Sequence, residues 1–345
     1  MRYLKENGHF REDEVKNNLN RRKEIPNKKI NKPREFGKEI TNIYTALKAI
    51  DLDEHPKVTQ ASINLLEFYK QYNEKALNKL NDIDQKGFHN LYECSEYASE
   101  IFDYLRHREV PFITKFGFLK TQTEVNENIR GCIIDWIVDI HRKFKLNPET
   151  LYMTISIIDR VLGKEKIMKS KIQTLAIAAL FIAGKYEEIY PPELKDYVTI
   201  TNFQVGKDEI LKMERQILKI LEFDLSCPSI YRFIERYSKL LKADEKQFYL
   251  SQYLSELQFL DSRMLRFAPS LIALSCLYLS AKILKKECWN TLIEEQSKYT
   301  ENEVKSCSNV LSGIAISADN QGISNIKNKY LNIKYQEVAK ISIDI

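Results

Sequence analysis

The sequence predicts an all-α protein: two consecutive helical bundles preceded by a largely disordered N-terminal tail. Three observations carry the prediction. From about residue 93 onward apolar residues recur at helical spacing, glycine is rare, and prolines sit at segment edges rather than inside. No alternating runs bounded by turns stand out, which argues against a sheet. A weak internal repeat aligns LAIAALFIAGK (175–185) with IALSCLYLSAK (272–282), so that Ala176 matches Ala273, Leu180 matches Leu277 and Lys185 matches Lys282. Two helical modules of about a hundred residues each would produce this. EILKMERQIL (209–218) repeats more loosely as EVKSCSNVLS (303–312).

In chain order, residues 1–55 read as a disordered regulatory tail, with few large apolar residues and no sustained period. Residues 1–50 carry 13 Lys/Arg against 7 Asp/Glu. A solvated tail explains this excess. Nuclear import through Arg21-Arg22-Lys23 and Lys28-Lys29 is the alternative. Residues 56–92 read as a linker with one helix near 60–80, spaced by Leu65, Phe68, Tyr69, Tyr72, Ala76 and Leu80. The first bundle is expected over 93–226 and the second over 227–345.

Within the first bundle, 126–143 carries one stripe through Ile129, Cys132, Ile133, Trp136, Ile137 and Ile140, and a second face at Ile134 and Val138. A helix apolar on most sides is either central in the core or lends one face to a partner. Asn147-Pro148-Glu149 reads as a helix start, a cap residue followed by proline at the first helical position. That helix runs through Leu151, Ile155, Ile158 and Leu162 and is expected to stop at Gly163. In 171–186 the small residues Ala176, Ala178, Ala179, Ala183 and Gly184 permit close helix approach.

Composition narrows the function classes. A chain of 345 residues with 43% apolar content can bury two ordinary domains and leave a tail. No apolar run reaches about 18 residues, so no membrane span or membrane partner is expected. The N-terminal Met-Arg-Tyr-Leu-Lys-Glu-Asn precedes no apolar stretch, and no secretory signal is expected. Six scattered cysteines with no C-x-x-C pair read as reduced thiols, and the five histidines form no metal-like cluster. The net charge of +5 is modest and interleaved, which gives no case for nucleic-acid binding. There is no Gly-rich phosphate loop, no G-x-S-x-G and no metal triad, so neither catalysis nor a cofactor has candidate residues.

Four charged residues, Arg130, Asp135, Asp159 and Lys185, interrupt these apolar segments. A buried charge is tolerated only when paired, so together they point to internal ion pairs between helices. Spacing alone leaves the pairing open.

Several segments resemble one known family. I-R-G-C-I-I-D-W (129–136) resembles the M-R-A-I-L-V-D-W motif of A- and B-type cyclins, and F-K-L-N-P-E-T-L-Y-M-T-I-S-I-I-D-R (144–160) resembles their next helix. A-G-K-Y-E-E-I-Y-P-P-E (183–193) resembles the cyclin segment A-S-K-F/Y-E-E-I-Y-P-P-E, and M-E-R-Q-I-L-K-I-L-E-F-D-L (213–225) resembles the helix closing the first cyclin box. The resemblance is strong over about 93–240 and weaker over 241–340. It implies two consecutive cyclin boxes in a non-catalytic mitotic cyclin that binds and activates a cyclin-dependent kinase. Features of the A and B types are mixed. A protein like transcription factor IIB also pairs cyclin folds, but it would bring a basic face and a metal ribbon, and KYEEIYPPE is foreign to that group.

The resemblance also assigns residues. Arg130 and Asp159 would form a buried structural pair. Lys185 and Glu214 would contact the regulatory helix of the kinase, with Tyr186, Phe223, Ile101 and Tyr97 as apolar contacts around them. Ile129, Cys132, Ile133, Trp136 and Gln173 would form a docking patch for substrates or inhibitors with Arg-x-Leu motifs. For the four apolar residues, core packing is the rival reading. Ile129 stands where the family has methionine and Cys132 where it has isoleucine, which predicts a slightly smaller groove.

In the tail, Lys5-Glu6-Asn7 spells the KEN motif read by the anaphase-promoting complex, and coincidence in a Lys/Asn-rich chain is its rival. Residues 34–42 resemble a destruction box at Arg34, Ile40 and Asn42, but Gly37 stands at the leucine position. The chain contains no Ser-Pro or Thr-Pro. Control is therefore expected through abundance rather than proline-directed phosphorylation, in a protein of the nucleus and cytoplasm.

Overall fold

Short polar side chains and prolines set the helix starts. Asn126 accepts from the Ile129 N–H and opens α3 (Glu127–Phe144). Pro148 opens α4 (Pro148–Lys164) and Pro269 opens α10 (Pro269–Ile283), each at a position whose N–H would lack a helical partner. Ser229 caps α8 (Ile230–Leu240) and Asp244 caps α9 (Glu245–Leu257). A capping box of Glu193 and Asp196 opens α6 (Leu194–Ile200). The computed structural model describes residues 80–343 apart from 89, 91–92, 115–116 and 321–324, together with positions 67 and 71. The tail, the Lys5-Glu6-Asn7 motif, the destruction-box-like segment and nearly all of the helix expected near 60–80 lie outside the described residues.

Thirteen α-helices and no strand occur among the described residues. The remaining helices are α1 (Asp82–Gly87), α2 (Ala98–Glu109), α5 (Ile172–Glu187), α7 (Lys207–Ile220), α11 (Thr291–Ser297), α12 (Glu301–Asn320) and α13 (Asn325–Tyr330). In the first bundle α5 is the axis, with α3, α4 and α7 packed around it. Its side chains from Thr174 to Gly184 are all buried, and its alanines let the neighbours approach closely. In the second bundle α10 is the axis, flanked by α8, α9 and α12. The repeat seen in the sequence therefore superposes the two axial helices. Each fully buried Leu or Ile adds ~1.5–3 kcal/mol, and the buried serines of α10 satisfy their hydroxyls by hydrogen bonds, as Ser280 does to the Leu277 carbonyl.

Polar side chains join the two bundles. Arg130 Nε and Nη2 donate to the two oxygens of Asp159 at 2.6 and 2.7 Å, and Nη1 donates to the Phe259 carbonyl in the second bundle at 2.6 Å. Arg130 is fully buried, and although burial alone would lower its pKa, Asp159 holds it above the ordinary guanidinium value. Glu109, at the end of α2, accepts from the N–H and hydroxyl of Ser270 and so closes the start of α10; burial raises its carboxyl pKa. Arg236 on α8 grips Asp84 on α1 with both terminal guanidinium nitrogens, Nη1 and Nη2, in a second buried pair. His141 is buried with Nε2 at 2.8 Å from the Asn147 carbonyl; burial, then the nearby Lys329, push its pKa down to about 3.

Three expectations are corrected. Asp135 forms no ion pair with a described residue; it accepts from Asn325 Nδ2 and Ile326 N–H and holds the start of α13 against α3. Such capping satisfies a carboxylate without a cation, because the helix start offers unpaired N–H donors. Asn147 does not cap α4 with its own side chain. Glu188, at the end of α5, accepts from the Asn147 N–H, its side-chain amide and the Thr150 hydroxyl. And α4 passes through Gly163 to end at Lys164, with Gly163 close to the Thr114 methyl.

Candidate functional site

The contact between α5 and α7 brings Lys185 and Glu214 together. The Lys185 ammonium lies 4.2 Å from the centroid of the Phe181 ring and is ion-paired to Glu214 Oε1. The Lys185 side chain remains 45% exposed, whereas that of Glu214 is 11% exposed. The pair thus offers a half-exposed ammonium beside a largely buried carboxylate. Lys185 is not the interior charge that its apolar segment suggested, because it falls in the last turn of α5, where the helix emerges.

Large apolar side chains are exposed on the same and neighbouring elements. Tyr186 follows Lys185, and Phe223 sits in the turn after α7, both open to solvent. That turn reverses the chain through left-handed conformations at Glu222 (φ 54°) and Phe223 (φ 60°), with the Phe223 N–H bonded to the Leu218 carbonyl. On α2 and the turn before it, Tyr97 and Ile101 are exposed at helical spacing, and Tyr104 extends the row. Arg108 near the end of α2 is ion-paired to Asp224, which ties α2 to the turn bearing Phe223. Arg108 and Arg160 each stack on the Phe112 ring, at 4.6 and 4.5 Å. Sequence reasoning did not single out Tyr104, Arg108, Asp224 or the exposed Ile189 and Tyr190 beyond Lys185. The spacing from Tyr97 and Ile101 could have found Tyr104. Nothing local signals Arg108 and Asp224, which are 116 residues apart.

The second set of residues lines one shallow groove. Ile129, Cys132, Ile133 and Trp136 on α3 face Ile172 and Gln173 at the start of α5, with Asn128 and Lys169 at the edge. The space is about 430 Å³. Ile133 is buried, Ile129 and Trp136 are half-buried, and Cys132 is exposed, so the stripe is part core and part wall. Among the described residues no cluster of His, Cys, Asp or Glu is placed to hold a metal ion, and no helix is long and apolar enough to cross a membrane.

The family model for the cyclin N-terminal domain matches residues 100–226, and that for the cyclin C-terminal domain matches residues 228–344. A putative cyclin-A3-1 of Arabidopsis thaliana is 32% identical over 327 residues, covering 92% of this chain and 89% of that protein. The chain belongs to the cyclin family. G2/mitotic-specific cyclin-B of Dictyostelium discoideum is 36% identical over 264 residues, and G2/mitotic-specific cyclin-A of Patella vulgata is 38% identical over 248 residues. This cyclin spans 61% and 58% of the length of those two relatives, and they span 76% and 72% of it. A viral cyclin from herpesvirus saimiri shares the fold, with a TM-score of 0.56 at 20% identity, over 62% of this chain and 97% of that one.

This cyclin departs from the family segment A-S-K-Y at Gly184, and the structure gives a reason. A Cβ on Gly184 would meet the hydroxyl of Tyr197 at 2.8 Å. Tyr197 is fully buried between Phe144 and Phe181, with ring centroids 5.3 Å away on each side, so it cannot swing aside. Gly184→Ala is therefore expected to destabilise the protein by about 1–2 kcal/mol, overpacking outweighing the helix-propensity gain. In a Tyr197→Phe background the same change should become neutral or stabilising. Urea denaturation of the four proteins checks this; an additive cycle would contradict the steric account.

Proposed function

We propose that this cyclin is a non-catalytic regulatory subunit that binds and activates a cyclin-dependent serine/threonine kinase in mitotic or meiotic cell-cycle control. The observation that carries the reading is the Lys185–Glu214 pair set at a helix end beside exposed aromatic side chains. An ammonium can donate to backbone carbonyls and a carboxylate can accept from backbone amides at a helix terminus, while exposed Tyr and Phe supply apolar area. Tyr97, Ile101, Tyr186 and Phe223 take the apolar part of this interface. A fold neighbour is a yeast RNA polymerase II CTD kinase complex, with a TM-score of 0.52 at 14% identity, and it supports the fold rather than the partner. Co-purification with a cyclin-dependent kinase, followed by phosphate transfer to a peptide, tests the proposal; no complex and no activity would end it.

Two further roles belong to the same reading. The groove around Trp136 docks apolar segments of substrates or inhibitors, of the Arg-x-Leu class that the resemblance implies. Lys5-Glu6-Asn7 serves as a recognition element for the anaphase-promoting complex, in a protein shared between nucleus and cytoplasm. Ubiquitination of the full chain by the purified complex is expected to slow severalfold when these three residues are alanine. Equal rates would remove the element.

A further inference from the structure

The surface proposed for the kinase has two halves, and they rest on different bundles. Lys185, Glu214, Tyr186 and Phe223 belong to α5, α7 and the turn after α7, in the first bundle. Tyr97 and Ile101 belong to α2 and the turn before it, and α2 is anchored to the second bundle. The Phe102 ring lies 5.9 Å from that of Phe233 on α8, and the Arg236 guanidinium lies 5.5 Å from its centroid. Arg106 Nη1 donates to the Gln296 carbonyl on α11 at 2.7 Å. Glu109, buried at the end of the helix, accepts from the N–H and hydroxyl of Ser270 on α10.

The end of α2 also reaches back to the first bundle. Arg108 is ion-paired to Asp224, next to Phe223, and its Nη2 lies 3.4 Å from the Ser226 hydroxyl. The Phe112 ring, just past the helix, is held by Arg108 at 4.6 Å and by Arg160 of α4 at 4.5 Å. Arg108 therefore stands where the two halves meet. Its backbone belongs to a helix carried by the second bundle, and its side chain holds the turn that presents Phe223. A pair whose side chains are 27% and 41% exposed adds little to folding. Its effect on spacing is another matter. A partner that must contact α2 and the Phe223 turn together binds more tightly when their separation is fixed in advance, because less ordering remains to be done on binding.

We infer that Arg108 and Asp224 are positioning residues: their ion pair sets the register between the two halves of the kinase-binding surface, and neither residue has to touch the kinase. The inference rests on the kinase-binding role proposed above and deepens it. It gives the second bundle a part in kinase binding, through the helix it carries.

The test titrates full-length variants into a purified cyclin-dependent kinase and reads both the half-maximal concentration and the plateau of activity. Arg108→Ala should raise the half-maximal concentration about three- to fivefold, the upper range for a single exposed pair, and leave the plateau unchanged. Asp224→Ala should act in the same direction. The double alanine variant should be no weaker than Arg108→Ala, since a shared interaction is lost only once. Exchanging the charges, Arg108→Asp with Asp224→Arg, should recover most of the loss, whereas Arg108→Asp alone should be weaker than Arg108→Ala. All five variants should melt close to wild type. An unchanged half-maximal concentration, effects that add across the two alanine changes, no recovery on exchange, or a fall in melting temperature that tracks the loss would each overturn the inference while leaving kinase binding in place. No activation by the wild-type chain would overturn the kinase-binding role and the inference with it.

Discussion

Arg130→Ala should lower the stability of the folded region by ~3–5 kcal/mol, the scale for removing one partner of a buried ion pair. The guanidinium makes three hydrogen bonds without contact with solvent: two to Asp159 and one to the Phe259 carbonyl. Its removal strands a carboxylate that is 2% exposed and a carbonyl from the other bundle. Because Arg130 spans both bundles, the loss should also loosen their seam, and the urea transition should broaden or split. A double replacement, Arg130→Met with Asp159→Leu, should recover much of the loss, since no charge is then left unpaired. Unchanged denaturation of Arg130→Ala would show that the pair contributes nothing.

Lys185→Ala combined with Glu214→Ala should have the opposite character, with little effect on stability and a large effect on function. An ion pair with one partner nearly half exposed contributes ~0–1 kcal/mol to folding. At an interface that closes over it, truncating a hydrogen-bonded charge costs ~2–5 kcal/mol. The double variant should melt close to wild type yet bind a kinase partner roughly 100-fold more weakly or worse. Phe223→Ala and Tyr186→Ala change exposed side chains and serve as milder controls in the same assay. A folded double variant that activates a kinase fully would detach this pair from the function.

The axial helices and the two-bundle architecture were legible in the sequence because helical periodicity and small-residue runs are local signals. The partnership of Arg130 with Asp159 was legible only through the family motifs, since 29 residues and a helix turn separate them. Other features depend on which distant helices pack together. Asp135 looked like half of an ion pair until α13 supplied its N–H groups. Glu188 sits in the run Glu187-Glu188 with nothing to show that it closes the start of α4. Gly184 reads as one more small residue, and only the Tyr197 hydroxyl explains why the position carries no side chain. The groove residues were ambiguous for a physical reason: Ile133 is core, Cys132 is surface, and one stripe of α3 serves both.

A regulatory subunit should turn on a kinase and do no chemistry itself. The most direct measurement mixes the purified full chain with a purified, inactive cyclin-dependent kinase and follows phosphate transfer to a peptide as the ratio of the two is raised. Activity should be near zero for either protein alone, rise with added chain and saturate at one chain per kinase. Phosphate transfer by the chain alone, or no response of the kinase at any ratio, would contradict it.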